Sequence, residues 1–133
     1  MSTRSDAAAA FHALHRDFLI LPNAWDGVSA KLVERAGAKA IATSSAALAW
    51  SHGYPDGEAV PPETVLATVR EIARSVRVPV SADVEAGYGA DAESAAAFAS
   101  RVVEAGAVGV NVEDGTGSPD LLAAKIESAP ASR

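Results

Sequence analysis

Two apolar segments of this chain end in carboxylates. Val78-Pro79-Val80-Ser81-Ala82-Asp83-Val84-Glu85 breaks at Ala86-Gly87-Tyr88-Gly89, and Val108-Gly109-Val110-Asn111-Val112-Glu113-Asp114 breaks at Gly115. Both read as strands with acids only at their last residues. A carboxylate ending a buried strand needs a partner, because desolvating an unpaired charge costs several kcal/mol. A hard divalent cation is the simplest partner, since it takes oxygen ligands. Asp83 and Glu85 are two apart, and such residues share one face of a strand. Both would then reach one ion, directly or through its waters, with Glu113 of the neighbouring strand as a third acid. The leading expectation is a Mg²⁺ site of Asp83, Glu85 and Glu113 at the carboxyl edge of a parallel sheet. The plainer reading leaves these acids as solvated strand ends or helix-dipole partners. Asp114 is expected to orient the loop or a neighbouring ligand.

Other motifs carry weaker chemistry. Gly87-Tyr88-Gly89-Ala90-Asp91-Ala92 fits a loose G-x-G-x-x-G/A pattern after a strand, which suggests a dinucleotide site with Glu113 on the ribose. Against it, Asp83 and Glu85 would repel a pyrophosphate, and the turn is third in the chain rather than first. Tyr54-Pro55-Asp56-Gly57-Glu58 is either a plain β-turn or a lid that carries Asp56 over the site. Thr43-Ser44-Ser45-Ala46 follows a strand, and small residues there leave N–H groups open to a carboxylate or phosphate. A tight turn is the alternative. His12 and His15 have no acid at metal-ligand spacing and read as a helix face. His52 is ambiguous. Trp25 would wall a site or join the core.

The elements that position these residues alternate between strand and helix. Phe18–Leu21 reads as strand one, Ala40–Thr43 as strand two, Val78 opens strand three, and Val108–Val112 is strand four. The helices expected between them run from Val28 to a stop at Gly37, from Pro61-Pro62-Glu63 to Val76, and from an Asp91 cap to Gly106. Leu121–Ile126 suggests a last helix. Leu32-Val33-Glu34-Arg35-Ala36-Gly37-Ala38 is echoed by Val102-Val103-Glu104-Ala105-Gly106-Ala107, a repeated helix–Gly–strand junction. Strands recurring every roughly 25–40 residues suit right-handed βαβ crossovers. The fold class expected is α/β with parallel βα units, the runner-up being a small open doubly wound sheet. Residues 1–133 form one domain of four βα units, with 1–6 and 128–133 expected to be disordered tails.

Composition narrows the partners. The chain has 133 residues, a net charge of −6 and no cysteine. The acidic balance disfavours nucleic acid and anionic membranes. Thiolate metal sites, disulfides and cysteine nucleophiles are excluded. No apolar stretch is long enough to span a membrane, and no secretory segment follows Met1–Asp6. A cytoplasmic location is the expectation.

Three segments together, Pro22-Asn23-Ala24-Trp25-Asp26, Asp83-Val84-Glu85-Ala86-Gly87-Tyr88-Gly89 and Val112-Glu113-Asp114-Gly115, resemble the isocitrate lyase/phosphoenolpyruvate mutase superfamily. The resemblance runs from about Phe11 to Ile126. It implies a (β/α)₈ TIM barrel, Mg²⁺ dependence, and making or breaking C–C or P–C bonds of 2-oxo acids through enolate-like intermediates. By position it implies Asp83, Glu85 and Glu113 around Mg²⁺, with Asp83 also facing substrate. It implies Ser44, Ser45 and Ala46 on the substrate carboxylate, and Asp56 as the gating-loop acid. The departures are also specific. Glu85 stands where many members have Asp. The lysine- and cysteine-bearing loop of the lyase branch is replaced by Gly115-Thr116-Gly117-Ser118-Pro119-Asp120, which disfavours isocitrate or methylisocitrate cleavage. A (β/α)₈ barrel takes about 250 residues, so the chain resembles the first half of one. Open edges at strands one and four would favour a homo-oligomer, through those edges or through helices. The alternative is a non-catalytic half-barrel remnant or assembly module.

Overall fold

Four parallel strands lie side by side in chain order in a computed structural model that describes residues 4–130. They are β1 (Asn23–Ala24), β2 (Ile41–Thr43), β3 (Val80–Asp83) and β4 (Gly109–Asn111). Six helices accompany them: α1 (Arg4–Leu14), α2 (Gly27–Arg35), α3 (Ser45–Ser51), α4 (Pro62–Ser75), α5 (Ala92–Ala105) and α6 (Pro119–Ser128). Along the chain α2 packs on α4, α4 on α5, and α5 on α6, so these helices form one layer. A doubly wound sheet would reverse its strand order and carry helices on both faces. The strand order 1-2-3-4, without reversal and with α2, α4, α5 and α6 in one layer, is that of consecutive barrel units, and the runner-up topology is excluded.

Helix ends follow the local chemistry. Asp26 and Ser29 form a reciprocal capping box at α2, and Asp91 and Ser94 form another at α5. Each satisfies backbone donors that the first turn leaves unpaired. Gly106 closes α5 with φ +119°, a left-handed conformation that costs glycine little.

The apolar face of α4 is buried as its periodicity requires: Val65, Leu66, Val69 and Ile72. Burial of a side chain of that size contributes roughly 2 kcal/mol. Ile72 packs with Ala24, Ala30, Ile41 and Val80 under α2, and Val69 packs with Ala82, Val84, Phe98 and Val102 under α5. The opposite sheet face is small and polar. By register it carries Asn23, Ala42, Ser81, Asp83, Gly109 and Asn111. Phe11 of α1 lies against it, close enough that a Cβ on Gly109 would sit 2.8 Å from the ring.

Three expectations need correction. The first strand is Asn23–Ala24, not Phe18–Leu21, where Phe18 and Ile20 are 93% and 68% exposed. Pairing begins only where Ala42 N–H reaches the Pro22 carbonyl, and the earlier apolar residues line a groove beside Gly37 and Ala38 instead. Arg4 to Asp6 belong to α1 rather than to a loose tail, and Ser128 closes α6; residues 1–3 and 131–133 lie outside the described residues. Finally, Ser45-Ala46 opens a seven-residue helix where a loop was expected.

Candidate active site at the carboxyl edge of the sheet

The strand ends deliver polar groups to one cavity of about 340 Å³, lined by Asn23, Thr43, Ser81, Asp83 and Asn111 with Phe11 and His15. Asp83 is its acid. Oδ2 of Asp83 accepts from the backbone N–H of Ser45 at 3.1 Å, and Oδ1 accepts from Glu85 N–H at 3.2 Å. The Asp83 N–H donates to Oγ1 of Thr43 at 2.8 Å. The segment expected to bind a substrate carboxylate is therefore tied directly to the expected acid. Ser44 caps α3 through its Oγ, which accepts from Ala47 N–H, and Ala46 lies in the first turn.

Glu85 departs from the strand reading. β3 ends at Asp83, and Glu85 has φ +52°, so the two-residue alternation stops before it. Its buried carboxylate accepts from the backbone N–H of Glu58 and from the Tyr88 hydroxyl at 3.2 Å. Burial pushes the Glu85 carboxyl above its ordinary value, and the charges of Asp56 and Glu58 add to this while those hydrogen bonds oppose it. The Tyr88 phenol is pushed up too, by burial first and then by the Glu85 charge. Glu113 is exposed, and its N–H donates to the Glu85 carbonyl at 2.8 Å. Among the described residues no three His, Cys, Asp or Glu side chains are gathered to hold an ion. The expected convergence of Asp83, Glu85 and Glu113 is thus not assembled: of the three, only Asp83 lines the cavity.

The remaining residues divide by their contacts. Asp56 sits exposed in the 52–61 loop, near enough to act electrostatically on Glu85. His52 Nε2 lies 3.0 Å from Oγ1 of Thr68, whose hydroxyl donates to the Thr64 carbonyl, so His52 is the donor and anchors the loop's start. His15 Nδ1 pairs with the Phe11 carbonyl, and no metal group forms at either His12 or His15 among the described residues. Trp25 is 40% exposed, not core. The Asp91 carboxylate caps α5, where a dinucleotide pyrophosphate would need to lie, which counts against that reading.

Two residues escaped the sequence reading. Glu58 grips the β3–α5 turn: its Oε1 accepts from Tyr88 N–H at 2.6 Å. Lys125, buried in α6, donates to the carbonyls of Ala86 at 2.7 Å and Gly89 at 2.9 Å. The Pro-Asp-Gly-Glu turn marks the Glu58 loop but not its grip, and backbone acceptors such as those of Lys125 leave no trace in sequence.

The family described as phosphoenolpyruvate phosphomutase matches residues 11–132. An uncharacterized protein of Mycobacterium tuberculosis strain H37Rv is 35% identical over 87% of this chain and 46% of its own length. A 2-methylisocitrate lyase of Bacillus subtilis strain 168 is 31% identical over 85% of this chain and 38% of its own. Among solved structures, a phosphonopyruvate hydrolase in complex with oxalate and Mg²⁺ superposes with a TM-score of 0.85 at 29% identity, covering 99% of this chain and 49% of that one. The chain spans less than half the length of these relatives.

Proposed function

Because the chain belongs to the isocitrate lyase/phosphoenolpyruvate mutase superfamily, we propose that it carries the first half of an enzyme site for a small 2-oxo acid or phosphoenolpyruvate-like substrate. The observation that carries this reading is the Ser45–Asp83 pair, which brings an anion-binding N–H and an acid together beside the cavity. In this reading Ser44, Ser45 and Ala46 take the substrate carboxylate, Asp56 closes over it, and Asp83 orients the oxo group.

Mg²⁺ takes one or two carboxylates and keeps several waters. In this reading Asp83, the acid that lines the cavity, would hold the ion, with Glu85 and Glu113 as further candidate acids at the same sheet edge. Bound there, the ion would supply charge for a developing oxyanion. The phosphonopyruvate hydrolase of similar fold is in complex with oxalate, a mimic of the pyruvate enolate, which supports the substrate class.

The test is calorimetric titration of the chain with Mg²⁺ and oxalate together. Saturable binding that needs both supports the enzyme reading. The second reading, a non-catalytic half-barrel module, is favoured by one observation, the unassembled acid trio. Absence of binding would select it.

We also propose a homo-oligomer. β1 and β4 each have one unpaired edge in the described sheet, and the exposed Val28, Leu32 and Ile126 lie on the helices flanking them. Sedimentation of a folded, dispersed monomer at micromolar concentration would overturn this.

A further inference from the structure

Among the described residues, three non-glycine residues have positive φ: Glu58 at 58°, Glu85 at 52° and Tyr88 at 52°. Each costs about 1 kcal/mol or more, and such conformations persist where their surroundings over-determine them. Here the three residues hold one another. Glu58 N–H donates to the Glu85 carboxylate, Tyr88 N–H donates to Glu58 Oε1 at 2.6 Å, and the Tyr88 hydroxyl donates to Glu85 Oε1 at 3.2 Å. The ring they close joins the loop after α3 to the turn after β3.

The turn is fixed independently of the loop. Lys125 holds its carbonyls from α6, and the Tyr88 ring packs on Phe98 with centroids 4.7 Å apart. The loop is held at its start, by His52 on Thr68 and by the Tyr54 N–H on the Ala49 carbonyl. Its residues from His52 to Ala59 are exposed, and the next buried side chain is Val60. Its middle is anchored through Glu58.

We propose that Glu58 is a positioning residue: it clasps the 52–61 loop, which carries Asp56, to the fixed β3–α5 turn. The clasp stands on geometry alone. Its value for ligand binding rests on the function proposed above.

Amide hydrogen exchange on the ligand-free chain tests the clasp. Glu58→Ala removes the acceptor, so exchange at Tyr88 and across the loop rises about tenfold, the effect of losing one charge-assisted hydrogen bond. Glu58→Gln keeps an acceptor oxygen and restores most of the protection. Glu58→Gly relieves the left-handed backbone yet behaves like the alanine variant. If the glycine variant exchanges more slowly than the wild type, or if all variants exchange alike, the clasp is refuted. Exchange of the β3 amides reports that each variant is folded. Should Glu58→Ala not fold, Tyr88→Phe, which removes only the phenol bond, must raise loop exchange, and unchanged exchange there refutes the clasp equally.

A second arm uses Mg²⁺ with oxalate. Weaker binding by Glu58→Ala and recovery in Glu58→Gln supports the placement of Asp56, while equal binding overturns it. If the wild type binds nothing, the proposed function falls and the exchange arm alone decides the clasp.

Discussion

The backbone N–H of Ser45 donates to Oδ2 of Asp83 at 3.1 Å, so the start of α3 and the end of β3 meet in one hydrogen bond. The bond fixes the Asp83 carboxylate at the first turn of α3. Replacing Asp83 separates charge from scaffold. Asp83→Asn keeps an oxygen for Ser45 N–H but loses the charge, and Mg²⁺–oxalate affinity should fall at least about tenfold with a melting temperature shifted by only a few degrees. Asp83→Ala leaves two N–H groups without their acceptor and should cost about 1–3 kcal/mol of stability besides. Equal affinity in wild type and asparagine variant would remove Asp83 from the site.

Which parts of this arrangement were legible depends on the kind of signal. α5 is readable end to end, because Asp91 carries a capping side chain and Gly106 is the residue type that takes the left-handed stop. β1 is not: two residues carry no periodicity, and the apolar run before them looks more like a strand than Asn23–Ala24 does. Glu85 lies off the strand for a related reason. Strand alternation was carried two residues past Asp83, whereas the backbone turns left-handed at Glu85 and hands its carboxylate to the loop. Asp83 and Ser45 were legible as residue types after strands, but their direct bond was not.

Lys125 gives a stability prediction. Its ammonium has two carbonyl partners in the β3–α5 turn and a buried stem. Lys125→Met keeps the stem's packing and strips both bonds, which should cost about 2–4 kcal/mol. Urea denaturation reads this directly. An unchanged midpoint would show that the turn holds its shape without α6.

Gly109 tests the seat of α1. A Cβ there would stand 2.8 Å from Phe11 Cε1 and 3.3 Å from Ser81 Oγ. Gly109→Ala should cost about 1–3 kcal/mol by overpacking. Because the nearest atom belongs to a side chain that can be shortened, Phe11→Leu in the same chain should recover part of the loss. A double-mutant cycle should show coupling of about 1 kcal/mol. Additive effects would mean that α1 does not rest on the sheet face in solution.

Acid sensitivity follows from Asp26. The Ser29 backbone N–H, bonded at 2.6 Å, and then the Ser29 hydroxyl hold this carboxyl below its ordinary value of 3.8. The folded state therefore binds the proton less readily than the unfolded chain. The resulting stability is fully present above the ordinary aspartate value and is lost as pH falls through the lowered one. Asp26→Asn retains an oxygen to cap α2 but does not titrate. Comparing urea midpoints of the two proteins from neutral pH down to about pH 2 cancels the other carboxylates. The wild-type advantage should be constant near neutrality and shrink in acid. A difference independent of pH would mean that the Asp26 cap acts through its shape and not through its charge.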